Sequence, residues 1–212
     1  MLTRSRTSLT ARTAFAVLIA ASLFLAGCKD SPSTGASGSA AKSASAPVSI
    51  AAIAAEATGF TVGSPMSART VYVFFDAQCP HCSELWRNAK PLKSQTKFIW
   101  IPVGILNAAS TSQGATLLAS KDPVALMDEH EASILAKGSG ISSASDLAAQ
   151  KDAVAKNTQL LNRFGFASIP TIVGTHAETG ALVTNEGAMS TVALASLLGL
   201  QAPAAPTPAP LR

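Results

Sequence analysis

The run Val71-Tyr72-Val73-Phe74-Phe75-Asp76-Ala77-Gln78 followed by Cys79-Pro80-His81-Cys82 constrains this chain more than any other stretch. Five consecutive apolar residues, β-branched or aromatic, predict a central strand covered on both faces. A proline one residue after Cys79, followed by Leu85, Trp86 and Ala89 at helical spacing, predicts a helix that starts at the dithiol. Two cysteines at that junction have the form of a redox site. The unpaired N–H groups of the first helical turn, and the positive end of its dipole, favour the thiolate of Cys79, which makes Cys79 the candidate nucleophile. Cys82, one turn on, can close a short disulfide with it and release a mixed-disulfide partner, and is the candidate resolving thiol.

The alternatives for the pair are an inert structural disulfide and half of a zinc site. A bridge across two residues closes almost no loop and so gives little stability. Zinc needs about four ligands, and besides the pair only His81, His130 and His176 are at hand, none at a finger-like spacing. The reading is therefore a redox dithiol with no metal and no cofactor. His81, between the sulfurs, is a candidate for tuning Cys79, against the simpler reading of an exposed residue at a helix start. His130, amid Asp128, Glu129 and Glu131, is expected on a solvated helix face, and His176 in a hairpin loop. Trp86, Phe98 and Trp100 are expected to pack in the core or on the surface rather than to form a substrate platform.

The N-terminus carries a second signal. Arg4, Arg6 and Arg12 precede an apolar run from Ala14 to Ala26, too short to span a bilayer comfortably, as in an export signal. It ends in Leu25-Ala26-Gly27-Cys28, which resembles the lipobox of bacterial lipoproteins; an ordinary signal or anchor with an incidental cysteine is the alternative. The resemblance implies a signal peptide over 1–27 and a lipid on Cys28, anchoring the chain to a membrane. Cleavage there leaves 13 Lys and Arg against 12 Asp and Glu, a near-neutral balance that gives no reason to expect nucleic acid. Lys29 after Cys28 points, by the sorting pattern of enteric bacteria, to the outer membrane. Cys79 and Cys82 are then the free pair in an oxidising compartment.

From Lys29 to about Pro47 the Ser, Ala, Gly and Pro composition predicts a flexible tether, and the span 28–58 is read as lipidated N-terminus and tether, with one short helix over Val48–Ala57. Gly59 and Gly63 are read as turns. Phe98–Val103 predicts a second strand and, with the first strand and the dithiol helix, a βαβ unit. Helical signals fill about 107–165. One helix is capped by Asp122 with Pro123 at its first position, and a longer one is capped near Ser145 and stopped by Gly165. Pro170 opens a strand, Thr179-Gly180 turns it into a hairpin, and Thr191–Leu198 closes the domain with a helix. The alternating Ala and Pro of 201–212 predict a disordered tail.

This order, with Cys-x-x-Cys at the first strand-helix junction, resembles the thioredoxin fold, an α/β architecture, here with a helical insertion between the second strand and the proline-led strand. Val71 through Cys82, Trp86, Pro91, Ile101-Pro102-Val103-Gly104 and Leu118-Ala119-Ser120-Lys121-Asp122-Pro123 resemble the catalytic domain of the DsbG and DsbC thiol:disulfide interchange proteins over about 59–200. The resemblance implies a periplasmic oxidoreductase acting on exported proteins with disulfides or oxidised cysteines, and a membrane electron donor of the DsbD type. It implies that Pro170 is the family's cis-proline, that Pro80, Ile169 and Pro170 meet the substrate, and that Asp76, three residues before the first cysteine, is a candidate for proton handling. Three departures stand out. Only the tether and one helix precede the domain, where the family has a dimerisation module, so a monomer is expected and dimer-dependent isomerisation is not. Ile169 stands where the family has Thr. Pro80-His81 matches the oxidase DsbA, leaving oxidation as the alternative direction. Copper handling by the thiol pair and a holdase with an incidental dithiol are alternatives of other classes.

Overall fold

The computed structural model describes residues 45–204. The expected signal peptide, Cys28, most of the tether and the end of the tail lie outside them. A five-stranded sheet has the order β1 (Phe60–Gly63), β3 (Lys97–Val103), β2 (Thr70–Asp76), β4 (Thr171–Thr175), β5 (Leu182–Glu186). β2 is the middle strand, parallel to β3 and antiparallel to β4, and β1 and β5 pair antiparallel at the edges.

Side chains alternate across a strand, so a strand apolar at every position must be covered twice. β2 is covered in that way. Val71, Val73 and Phe75 face Phe98 and Trp100 of β3 and a layer containing α2 (Pro80–Ala89) and α6 (Thr191–Leu198). Tyr72 and Phe74 face Ile53 of α1 (Ile50–Glu56) and Leu160, Leu161 and Phe164 of α5 (Ala148–Arg163) on the other side. Trp86 of α2 meets Trp100 edge to face at 4.8 Å, with Phe75 and Phe60 around them. The three aromatics expected to pack, Trp86, Phe98 and Trp100, are all buried.

Between β3 and β4 the chain makes three helices: α3 (Ala108–Ala119), α4 (Pro123–Leu135) and α5. Asn107 and Ser110 cap α3 reciprocally, and Asp122 caps α4 through the N–H of Ala125 at 3.0 Å. α5 starts at Ala148, with no side-chain cap, rather than near Ser145. Asp146 has φ +59, which takes the backbone out of helical geometry between Ser145 and the helix. Gly165, at φ +75, does end it.

The reading of Gly59 and Gly63 as mere turns is corrected: the stretch that follows Gly59 and ends with Gly63 forms β1. Phe60 and Val62 turn inward, and Gly59 lies where a Cβ would stand 2.5 Å from the Trp100 carbonyl oxygen. A four-residue strand with two inward side chains, bounded by glycines, leaves too short a pattern to read.

Candidate active site

Cys79 is the N-cap of α2, with extended backbone (φ −98, ψ 112), and Pro80 takes the first helical position. The sulfur accepts the Cys82 N–H at 3.3 Å. Thiols at this position receive unpaired helix N–H groups, which stabilise negative charge. The Cys79 thiol is pulled down to about 7, first by the hydrogen bond from the Cys82 thiol, then against partial burial by the N–H groups of Cys82 and His81, and least by the His81 charge. Cys82 is fully buried and pushed well above the usual thiol range, by that burial first and by sharing a proton and charge with Cys79 second. Both cysteines are free thiols. One sulfur is readily ionised and the other is held protonated behind it.

The strand that opens at Pro170 completes the mouth. The Ile169–Pro170 peptide bond is cis, and the Ile169 carbonyl accepts from the Cys79 thiol at 3.9 Å. Pro80, Ile169 and Pro170, predicted to meet substrate, thus lie beside the Cys79 sulfur or next to a residue that does.

Asp76, the candidate for proton handling, is fully buried, and its oxygens are occupied. Oδ1 accepts from Gln78 N at 2.9 Å, and Oδ2 from Ile105 N at 2.8 Å and Leu106 N at 3.0 Å. Its carbonyl accepts from Cys79 N at 3.0 Å. The side chain brackets the end of β2 to the loop after β3 and so sets the approach to the dithiol. His81 is largely exposed, with Nδ1 3.7 Å from Glu84 Oε2.

The expectation of a solvated face for His130 is corrected. His130 is fully buried; Nδ1 accepts from Ile141 N at 3.1 Å, so Nε2 carries the proton that it donates to the Ala77 carbonyl at 2.6 Å. Burial lowers its affinity for a second proton, against the pull of the Ala77 carbonyl and Asp76. The ring pins the turn two residues before Cys79. Glu131 beside it is 2% exposed, and neither carboxyl oxygen has a hydrogen-bond partner. Burial pushes that carboxyl up to about 8, against the nearby Ser83 hydroxyl and together with the charge on Cys79. Met127, His130, Glu131 and Ile134 are the buried positions of α4, a helical stripe that was present in the sequence.

Gln78 adds an amide network: its Nε2 donates to Gln113 Oε1 at 2.5 Å and to the Ser139 carbonyl at 3.1 Å, and Gln113 Nε2 donates to the carbonyls of Ser139 and Ile141. The loop after α4 is thereby fastened to the residue next to Cys79. His176 sits in the β4–β5 turn, as expected. Among the described residues no group of three or more His, Cys, Asp or Glu is placed to hold a metal ion, and no helix is long and apolar enough to cross a membrane.

No family model matches the chain. It is 34% identical over 134 residues to the thiol:disulfide interchange protein DsbG of Pseudomonas aeruginosa, a match that covers 62% of this chain and 51% of that protein. It is 37% identical over 65 residues to DsbG of Escherichia coli K12, covering 30% of this chain and 26% of that one. The chain thus spans about half the length of the Pseudomonas relative. Among solved structures, the catalytic domain of Proteus mirabilis ScsC aligns with TM-score 0.53 at 16% identity, over 70% of this chain and 96% of that one. A periplasmic thioredoxin-like protein from Salmonella enterica serovar Typhimurium aligns with TM-score 0.55 at 15% identity, over 73% and 97%. The fold is thioredoxin-like, and the DsbG-type resemblance read from the sequence is borne out over the matched region.

Proposed function

We propose that this chain is a thiol:disulfide oxidoreductase of the cell envelope, similar in activity to DsbG, that reduces or rearranges disulfides of exported proteins or reduces their sulfenylated cysteines. The observation that carries the reading is the contrast between the sulfurs: Cys79 down to about 7 at the mouth beside Ile169, and Cys82 buried and protonated behind it. The Cys79 thiolate attacks a partner disulfide, forming a mixed disulfide and expelling the partner's other sulfur as thiolate. With a sulfenic acid it forms the same mixed disulfide and expels hydroxide, which leaves as water. Cys82 then attacks Cys79, the Cys79–Cys82 bond forms, and the partner departs as a thiol, reduced by the two electrons the dithiol has lost.

The backbone at Ile169 and Pro170 holds the partner strand, and Pro80 lines its path. His81 and Asp76 serve the site from its edge, one as a small positive influence and the other as a bracket for the loops. Repeated reduction draws electrons from a membrane donor of the DsbD type. The protein works in the periplasm as a monomer, lipid-anchored through Cys28, with the outer membrane as its site. A second reading, disulfide oxidation, is favoured by the low Cys79 value and by Pro80-His81, because whatever stabilises the reduced thiolate makes the disulfide more oxidising.

The test is the redox state of the pair in intact cells, trapped with an alkylating mass tag. A pair held mostly reduced is expected for the reductive reading, and a mostly oxidised pair would assign the oxidase direction instead. In vitro, Cys82→Ala should accumulate a mixed disulfide with a disulfide-bonded protein. Cys79→Ala should abolish exchange; exchange surviving it would sink the whole reading.

A further inference from the structure

A carboxyl group buried without any hydrogen-bond partner is costly and rarely left in place without a task. Glu131 is such a group, and α4 packs it against the helix that carries both sulfurs. Its near polar neighbour is Ser83, the buried residue following Cys82, whose hydroxyl is turned to the Cys79 carbonyl at 3.4 Å. The titratable groups that face Glu131 from α2 are Cys79 and Cys82, each coupled to it through charge. On its own helix, His130 is tied up between Ala77 and Ile141, and Asp128 is engaged by Trp86 and Lys90.

Resolution of a mixed disulfide poses a specific difficulty. Cys82 has no exposed surface and is the thiol that must ionise before it can attack. We propose that Glu131 is the proton acceptor for Cys82, made easier to ionise by formation of the mixed disulfide at Cys79. The inference rests on the exchange reaction proposed above. Burial holds the Glu131 carboxyl protonated, and while Cys79 is a thiolate its negative charge adds a smaller push in the same direction. When the Cys79 sulfur becomes part of a mixed disulfide, that charge is gone. The carboxyl, still buried but easier to ionise, then releases its proton through solvent to the partner's first thiolate. The carboxylate takes the proton of Cys82; the Cys82 thiolate attacks Cys79 Sγ; the Cys79–Cys82 bond forms and the bond to the partner breaks. The electron pair leaves on the partner sulfur, which is protonated from Glu131 or from solvent. Each step conserves protons, and the sequence as a whole moves two electrons from the dithiol to the partner.

The probe is the symmetric disulfide of thionitrobenzoate, mixed with reduced full-length protein in a stopped-flow instrument. One coloured thiolate is released by the attack of Cys79 and a second by the resolution through Cys82. In Glu131→Gln the first phase should stay within about threefold, while the second slows roughly a hundredfold at neutral pH, the low end for a positioned acid-base group. The variant should approach wild type as pH rises and hydroxide replaces the carboxylate. A second phase unchanged at every pH, or slowed by the same factor at every pH, would overturn the proposal. Should the variant lose the first phase as well, wild type decides: its second phase should rise through an inflection between the ordinary carboxyl range and about 8. An inflection only where a buried thiol ionises would overturn it. Absence of the first phase in wild type would instead reject the exchange reaction itself.

Discussion

The two cysteines differ in chemistry because they differ in depth by one helical turn. Cys79 caps α2 and receives N–H groups, whereas Cys82 lies inside the core and donates to its neighbour. The Cys82 thiol is the largest influence lowering Cys79, and the His81 charge is the smallest. In Cys82→Ala the midpoint for alkylation of Cys79 by iodoacetamide should therefore move from about 7 toward the ordinary 9. At acidic pH the rate should drop by roughly tenfold for each unit moved. His81→Ala should move the midpoint less, since an exposed charge acts through water and is paired with Glu84. A larger shift from His81→Ala than from Cys82→Ala would reverse this ordering. The placement of Cys79 at the helix start and of Cys82 one turn in is legible in the sequence because their spacing and Pro80 fix it. Glu131 and His130 are not, since a run of Asp, Glu, His and Glu resembles a solvated face until Met127 and Ile134 are counted on the same stripe.

Among the elements, α5 is held on the sheet by its apolar face and by the hydrogen bonds of one buried amide. Asn157, 1% exposed, donates from Nδ2 to the carbonyls of Thr58 at 2.8 Å and Pro102 at 2.9 Å, and its Oδ1 accepts from Thr58 N at 2.9 Å. It joins α5, the lead into β1 and the end of β3. Asn157→Ala leaves three backbone groups unpaired and should cost about 3 kcal/mol or more, at roughly 1–3 kcal/mol for each orphaned group. Urea unfolding should detect this as a lower midpoint at unchanged slope; a loss below the error of the midpoint would mean that water restores the bonds. Such a tie cannot be read from the chain, because its partners are carbonyls 99 and 55 residues away. Elements that carry their own local signal were legible: β2 by its unbroken apolar run, α2 by cysteine and proline, α4 by Asp122-Pro123, and α6 from Thr191 to Leu198. β1 and the start of α5 were not, because a glycine-bounded strand and a residue at positive φ are set by their neighbours in space.

In the whole molecule, the sheet's central strand and α4 deliver one uncommon burden to the core, a carboxylic acid that stays protonated near neutrality. The acid titrates at about 4.5 in the unfolded chain and at about 8 in the folded protein. Its folded value is raised, so its contribution to stability is complete below pH about 4.5 and declines as pH climbs to about 8, by about 1.4 kcal/mol for each unit in between. His130 acts oppositely: its proton affinity is lowered in the fold, so its contribution is present above its ordinary 6.5 and is lost as pH falls below that. Cys79, lowered to about 7, gives stability that is present above its ordinary 9 and is lost as pH falls toward 7. These slopes overlap, so the profile of the protein alone would hide the acid. The comparison with Glu131→Gln removes the other groups from the difference. The reduced variant should match or slightly trail wild type near pH 4 and gain on it steadily, reaching a few kcal/mol in its favour near pH 8. In the oxidised protein Cys79 carries no thiolate, the carboxyl is raised less, and the gap should stop widening at a lower pH. Urea midpoints of both proteins in both redox states, taken at unit steps of pH, measure it. A gap that is constant with pH would mean that Glu131 is ionised in the folded protein. A gap that widens alike in both redox states would mean that the acid is buried but indifferent to the charge on Cys79.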